Sequence, residues 1–93
     1  MIKSFRGKTA EQVHNRQRAS RLPPDLYRVA QRKLAVLDAA VRLEDLRIPP
    51  ANRLERLRGD RAGQHSIRIN DQWRVCFTWK DGDAYNVEII DYH

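Results

Sequence analysis

The spacing of apolar residues changes once along this chain, and that change constrains the fold more than any other feature. Between residues 24 and 41, apolar side chains recur at the three- and four-residue spacing of a helix that buries one face. After Ile48-Pro49-Pro50 the spacing falls to two, at residues 66–69 and 73–79, which is typical of half-buried strands. The sequence therefore predicts an α+β fold in which helices precede an antiparallel sheet and cover one face of it.

Shorter signals fill in the rest of the chain. Residues 1–5 predict an edge strand, and residues 9–17 predict a short helix capped by Thr9. Residues 84–91 predict the last strand, after a hairpin turn at residues 80–83. With 93 residues we expect a small single domain over residues 1–93, built from an N-terminal strand, two helices and a three- to four-stranded antiparallel sheet.

The charge of the chain is unevenly distributed. The formal net charge is +6, and Arg supplies 14 of the 18 basic residues. Residues 1–33 carry +7, whereas residues 34–93 carry −1. The planar, forked guanidinium of Arg binds phosphate well, so this excess of Arg predicts a protein that binds nucleic acid. A solvated basic face stays open as the alternative. We expect six N-terminal cations to dock on RNA: Arg16, Arg18, Arg21, Arg28, Arg32 and Lys33.

Alternation assigns the side chains of the central strand to two faces. Trp73, Val75, Phe77 and Trp79 share one face, which we interpret as the core side, with base stacking by the two Trp residues as an alternative. Residues 74, 76 and 78 (Arg, Cys and Thr) then point to an open face. Two more cations are placed near it: Arg68 points away from the core, and Arg58 lies at the lip of the turn at residues 59–63.

The sequence ends on Asp91-Tyr92-His93, which places a carboxylate, a phenol and an imidazole on consecutive residues. A His beside a carboxylate suits proton transfer near neutral pH, although a solvated terminal segment is the plainer reading. Beside a cationic face, such groups fit RNA cleavage by the 2′-hydroxyl, which needs a base, an acid and a positive charge but no metal. The three His residues show no metal spacing, and the single Cys76 has no internal disulfide partner, so we expect no cofactor.

Residues 53–77, together with the opening Met1-Ile2-Lys3-Ser4-Phe5 and the ending Asp91-Tyr92-His93, resemble HigB-type toxins of the RelE/ParE superfamily. The resemblance implies a compact, RelE-like α+β ribonuclease that cuts messenger RNA on the ribosome. It also implies a partner, a HigA-type antitoxin with a helix-turn-helix domain. The toxin is expected to contact operator DNA only through this antitoxin. Residues 1–5 lack the apolar signal region of a secreted protein, so we expect the protein in the cytoplasm, with no membrane partner.

The resemblance also implies roles for individual residues. Asp91, Tyr92 and His93 match the terminal catalytic run, Arg74 matches the arginine that holds the scissile phosphate, and Arg58 stands where these toxins can have lysine. Glu55 departs from the pattern, because some relatives have His there. Apart from the resemblance, the cationic residues lead us to expect RNA contacts from Arg68, Arg61, Arg28 and Arg32. In a toxin of this kind, we expect the six N-terminal cations to dock on ribosomal RNA rather than to act in cleavage of the message. Two other readings stay open: a ParE-like toxin that inhibits DNA gyrase without cleaving RNA, and a basic RNA-binding module without catalysis.

Overall fold

The computed structural model describes residues 1–91 and shows two helices followed by a four-stranded antiparallel sheet. The strands lie in sequence order, β1-β2-β3-β4. The bounds of the helices and strands are α1 Thr9–His14, α2 Tyr27–Ala39, β1 Glu55–Arg56, β2 Gln64–Arg68, β3 Trp73–Lys80 and β4 Asp83–Asp91. Short 3-10 turns fill the connections at Pro24–Leu26, Leu43–Arg47, Pro50–Asn52 and Gly59–Arg61. The predicted fold class is confirmed.

The long helix is shorter than its pattern predicted. The prolines favour a 3-10 turn at Pro24–Leu26, and α2 then runs to Ala39, where Ala40 turns to an extended backbone. Val41, the predicted last residue, is instead 74% exposed. The carboxylate of Asp45 accepts hydrogen bonds from the backbone N–H groups of Val41 (3.0 Å) and Arg42 (2.9 Å), which begins the next turn and holds the pKa of Asp45 below its usual value. Within residues 1–91, no helix has the length and apolar character to cross a membrane.

The first helix also ends early. It was expected over residues 9–17 with Thr9 as its cap, but Thr9 is the first helical residue and Lys8 occupies the capping position. Ala10 and Val13 on α1 are fully buried, whereas Arg16 adopts a left-handed backbone with φ 59° two residues after the helix ends. A left-handed residue is incompatible with a continuing right-handed helix. The predicted extension to residue 17 is therefore wrong.

The N-terminal segment lies at the predicted edge of the sheet, beside β4. Ile2 bridges to Ala84 and Phe5 bridges to Val87, both in parallel orientation. The contact consists of two isolated bridges rather than a continuous strand. The backbone N–H of Ile2 also donates to Asp38 on α2 at 2.8 Å, so the segment is tied to both layers.

A bulge in β4 sets which of its side chains enter the core. Cys76 pairs with Glu88 and Thr78 pairs with Tyr85, so β4 carries one residue more than β3 between these pairs. Asn86, at φ 52°, takes the left-handed conformation that Asn tolerates better than most residues. The extra residue changes the phase of the alternation. Val87 therefore joins the core side and Glu88 points to the opposite face.

The core lies between the helices and one face of the sheet. Val75 and Phe77 on β3 and Ile67 on β2 are completely buried, and they pack with Leu34 and Leu37 of α2. Trp73 and Trp79 are half-buried and pack against the same cluster, which confirms the core interpretation of this face. Each fully buried residue of this size contributes about 1.5–3 kcal/mol through the hydrophobic effect. The opposite face of the sheet carries the candidate site.

Candidate active site

Arg74 lies on the face of the sheet that the helices leave uncovered. On β3 it pairs with Arg68 of β2 on one side and with Ile90 of β4 on the other. Its guanidinium is 3.1 Å from the carboxylate of Glu55. The same guanidinium donates to the Ser66 hydroxyl at 3.4 Å and to the Arg53 carbonyl at 3.5 Å. The side chain is 13% exposed, so this cation is held in a defined orientation before any substrate arrives.

Glu55 is positioned by the short edge strand β1. It pairs directly with Ser66, so its side chain projects from the same face as Ser66 and reaches Arg74. The carboxylate is 47% exposed and is accessible to water. In this chain, Glu55 is the counter-ion of the arginine expected to bind phosphate.

A second ion pair covers the centre of this face. The Arg61 guanidinium is 2.5 Å from Glu88 and donates to the Gln64 side chain at 3.1 Å. Beneath it Cys76 is 1% exposed, although the sequence placed it on an open face. Burial raises the pKa of the Cys76 thiol to about 11, so the thiol is neutral at physiological pH. The prediction of face was right, but the prediction that Cys76 is open was wrong, because alternation does not show what covers a strand.

Asp91 is the last residue of β4 and the last described residue of the chain. It pairs with Trp73, so strand alternation places it on the opposite face from Arg74. The Gln72 side chain donates to its carboxylate at 3.1 Å. Tyr92 and His93, the other two residues of the predicted catalytic run, lie outside the described residues.

The remaining predicted cations fall into two groups. Arg58 is exposed at the start of the Gly59–Arg61 turn and lines a depression of about 480 Å³ together with Glu55. Arg68 is beside Arg74 and forms an ion pair with Asp71. Arg28 and Arg32 are exposed on α2, which packs against the other face of the sheet. The structure therefore brings Arg58, Arg61 and Arg68 towards Arg74, whereas Arg28 and Arg32 lie apart.

Lys33, one of the six cations expected to dock on RNA, has an internal role. Its ammonium donates to the side chain of Asn52, which is completely buried. Burial lowers the pKa of Lys33, and the nearby Arg32 and Arg68 lower it further. This lysine attaches α2 to the connection that leads into β1, which does not fit a role in RNA docking.

Four polar residues of the site were missed by the sequence reasoning: Gln64, Ser66, Gln72 and Glu88. Glu88 had a visible signal, because it is a lone carboxylate between Val87 and two isoleucines. His65, by contrast, packs against Phe77 on the core face at 5.9 Å between ring centroids. Burial lowers the pKa of His65, and Arg56 adds to the effect. Within residues 1–91, no three His, Cys, Asp or Glu side chains cluster to hold a metal ion.

Comparison with known proteins places this chain in a family. Residues 3–93 match the model of the HigB-like toxin family, described as the RelE-like toxin of the type II toxin–antitoxin system HigB. Toxin HigB-1 of Vibrio cholerae serotype O1 is 45% identical over 94 residues, which cover 100% of this chain and 98% of that protein. Endoribonuclease HigB of Proteus vulgaris is 35% identical over 94 residues, which cover 100% of both chains.

Solved structures share the fold at low sequence identity. A YafQ mutant from E. coli superposes with a TM-score of 0.62 at 10% identity, covering 98% of this chain and 93% of that chain. A chain of the YoeB–YefM complex from Staphylococcus aureus superposes with a TM-score of 0.58 at 16% identity, covering 100% of this chain and 98% of that chain. At this level of identity the likeness extends to the fold and not to individual side chains.

Proposed function

This chain belongs to the HigB-like family of RelE-like toxins of type II toxin–antitoxin systems, and on that premise we propose that it is an endoribonuclease that cleaves messenger RNA on the ribosome. Cleavage would stop translation and growth. The name of the Proteus vulgaris relative, Endoribonuclease HigB, supports the reaction class. The ribosome and the message are our proposal for the substrate, supported by the strongly basic character of the chain.

The observation that carries the proposal is the environment of Arg74. Its guanidinium is oriented by Glu55, Ser66 and Arg53 on the face of the sheet opposite the core that packs with α2. Planar guanidinium forks match the paired oxygens of phosphate as they match those of a carboxylate. A phosphodiester that displaced the Glu55 carboxylate would meet a cation already in place. Such preorganised charge stabilises the phosphorane transition state more than a mobile side chain does.

The proposed reaction needs only proton transfer and charge stabilisation. The 2′-oxygen of the ribose attacks the adjacent phosphorus while a base removes its proton, and the bond from phosphorus to the 5′-oxygen breaks. An acid protonates the leaving 5′-oxygen, which yields a 2′,3′-cyclic phosphate and a free 5′-hydroxyl. We assign the base and the acid to Asp91 and His93 as a coupled pair, with Tyr92 beside them and Arg58 as a further cation. Because Asp91 projects from the face opposite Arg74, this assignment requires its carboxylate to act from the end of the sheet rather than across the Arg74 face. This set remains a proposal based on the family resemblance.

We also propose the partners that such a toxin requires. Membership of a toxin–antitoxin family implies an antitoxin, and we propose one of the HigA type, with a helix-turn-helix domain that carries the toxin to operator DNA. The site of action would be the cytoplasm, where ribosomes translate. A short helix-turn-helix reading frame next to the gene would support this partner.

Arg74 provides the test. We expect Arg74→Ala to slow single-round cleavage on programmed ribosomes about 30- to 1000-fold, equivalent to about 2–4 kcal/mol of transition-state stabilisation. Arg74→Lys should recover part of the rate, since it keeps the charge but loses the fork. Arg47→Ala, which removes an exposed arginine from the Leu43–Arg47 turn, is the matched control and should cut normally.

Three outcomes would count against this function. Cleavage by Arg74→Ala at the wild-type rate would remove Arg74 from the mechanism. Gyrase inhibition by a wild-type protein that leaves messages intact would establish the ParE-like alternative. Ribosome binding without cleavage would identify a basic RNA-binding module.

A further inference from the structure

A second cleft lies at the outer edge of β4, next to the candidate active site. Its volume is about 530 Å³. One wall is the loop that leads from the N-terminal segment into α1, and the other is the end of β4. The lining residues are Arg6, Gly7, Lys8, Thr9, Arg21, Glu88, Ile89 and Ile90. Of these, only Arg21 was among the cations expected from the sequence to contact RNA.

The backbone explains why a cleft opens here. The N-terminal segment runs along β4 as far as Arg6, whose N–H donates to the Val87 carbonyl at 2.9 Å. Gly7 then takes a φ of 76°, a left-handed conformation that costs glycine little, and the chain leaves the sheet to enter α1. The end of β4 therefore continues past the point where its neighbour turns away. The space between them is the cleft.

The charge of the cleft suits an anion. Arg6, Lys8 and Arg21 line it, and all three are exposed. Among residues 1–91, Glu88 is the only carboxylate in the lining, and it is paired with Arg61 at 2.5 Å. Three cations remain after that pairing, and they come from two separate stretches of the chain. Repulsion among them is relieved when a ligand with more than one negative charge binds.

The cleft adjoins Arg74 through the sheet itself. Ile90, which lines the cleft, is the direct partner of Arg74 across β3 and β4. Neighbouring strands are about 5 Å apart, so the cleft begins within about 5–10 Å of the strand that carries Arg74. A polynucleotide with one phosphate at Arg74 would pass over Ile90 and bring its neighbouring phosphates to the three cations.

We propose that this cleft binds the backbone phosphates of single-stranded RNA next to the scissile phosphate. The inference rests on the proposed function, because it takes Arg74 as the position of the scissile group. Contacts to phosphate position the strand without reading its bases. The cleft would thus fix the path of the message across the sheet, whatever its sequence.

The test uses ribosomes programmed with a series of modified messages. Each message carries one uncharged methylphosphonate linkage, built on a 2′-deoxy nucleotide, in place of one phosphate. The position of this linkage is moved one step at a time through the nucleotides beside the cleavage site. For the wild-type toxin, one or two positions should raise the half-saturating toxin concentration about 10-fold, since a charge-assisted contact is lost. The variant Arg6→Ala/Lys8→Ala/Arg21→Ala should bind more weakly than the wild type even with an unmodified message. Its half-saturating concentration should not rise further when a neutral linkage is introduced. The rate at saturating toxin should stay the same.

Two control variants make the result specific. Arg28→Ala/Arg32→Ala/Arg47→Ala removes three exposed arginines elsewhere and should keep the sensitivity of the wild type to the neutral linkages. Arg6→Lys/Arg21→Lys keeps the charge of the cleft and should keep that sensitivity too. A cleft variant as sensitive as the wild type would overturn the inference while leaving the proposed function intact. If the triple-alanine cleft variant loses antitoxin binding but stays sensitive to the neutral linkages, the inference is overturned and the cleft is a surface for the antitoxin protein. A wild type that cleaves none of the messages would overturn the proposed function itself.

Discussion

At the scale of single residues, the candidate site is a set of arginines already paired with carboxylates. Arg74 is paired with Glu55 at 3.1 Å and Arg61 with Glu88 at 2.5 Å. Phosphate must compete with a carboxylate for each of these cations. The competition is unequal, because the Glu55 side chain is 47% exposed, whereas that of Glu88 is 15% exposed. A carboxylate open to water is released at lower cost than a partly buried one. We therefore expect RNA to displace Glu55 and to leave the Arg61–Glu88 pair in place.

Glu55→Gln tests this competition. Removing the charge should leave Arg74 available, so the half-saturating toxin concentration on programmed ribosomes should fall several-fold, in line with about 1 kcal/mol for an exposed pair. The cleavage rate at saturating toxin should change little. The control is Glu44→Gln, which removes an exposed carboxylate from the Leu43–Arg47 turn. A collapse of the saturating rate would instead make Glu55 a proton-transfer group in the reaction.

At the scale of elements, the connection from α2 to β1 determines where the edge strand lies. Asn52 is completely buried within it, and its amide donates to the carbonyls of Leu46 (3.2 Å) and Ile48 (3.4 Å). Its side-chain oxygen accepts from Lys33 on α2. One side chain thus holds together two 3-10 turns and a helix. The strand that carries Glu55 follows only three residues later.

Asn52→Ala should therefore destabilise the protein and disturb the site. It leaves the carbonyls of Leu46 and Ile48 and the Lys33 ammonium without this partner, which costs about 2–4 kcal/mol in the free energy of unfolding. Urea unfolding followed by circular dichroism measures this change. Asn15→Ala, at an exposed position after α1, is the matched control and should cost under about 0.5 kcal/mol. Equal stability of the two variants would contradict the bracing role of Asn52.

The elements differ in how far sequence reasoning could find them. α2 and β3 were predictable, because a long amphipathic period and a clean alternation each reflect burial along the whole element. β1 was not, since two residues carry no period, and its position depends on the Asn52 contacts. The bulge at Asn86 was also hidden, because it changes the phase of the alternation within a single strand. Because the positions of β1 and of the bulge were hidden, the sequence identified Arg74 as a site cation but gave no indication of its Glu55 partner. The Arg61–Glu88 pair above Cys76 was hidden as well.

At the scale of the whole molecule, the basic excess of residues 1–33 is divided between different places. The fold measures about 30 × 26 × 25 Å. Arg6, Lys8 and Arg21 line the cleft beside β4, whereas Arg28 and Arg32 are exposed on α2. The helical layer, about 10 Å thick, separates the α2 cations from the face that carries Arg74. The same stretch of chain thus presents cations on both sides of the sheet, and one strand of RNA at the active site would not reach them all.

Charge reversal on α2 tests what the distant cations do. We expect Arg28→Glu/Arg32→Glu to weaken ribosome binding and to reduce the slope of log affinity against log salt by about 1.5, because two phosphate contacts are lost. The cleavage step at saturating toxin should be unaffected, since neither residue lies on the face of Arg74. Co-sedimentation with ribosomes at several salt concentrations measures both the affinity and the slope.

The matched control for α2 is Arg47→Glu/Lys80→Glu, which makes the same change in net charge at two other exposed positions. If docking depends on the position of the α2 cations, this control should bind with nearly the wild-type slope, apart from a small uniform loss due to net charge. Equal losses in both variants would mean that only the net charge matters. An unchanged slope for Arg28→Glu/Arg32→Glu would assign these arginines to solubility or to antitoxin contact. The affinity of the purified antitoxin for the same variant decides between those two roles, since only a contact residue changes it.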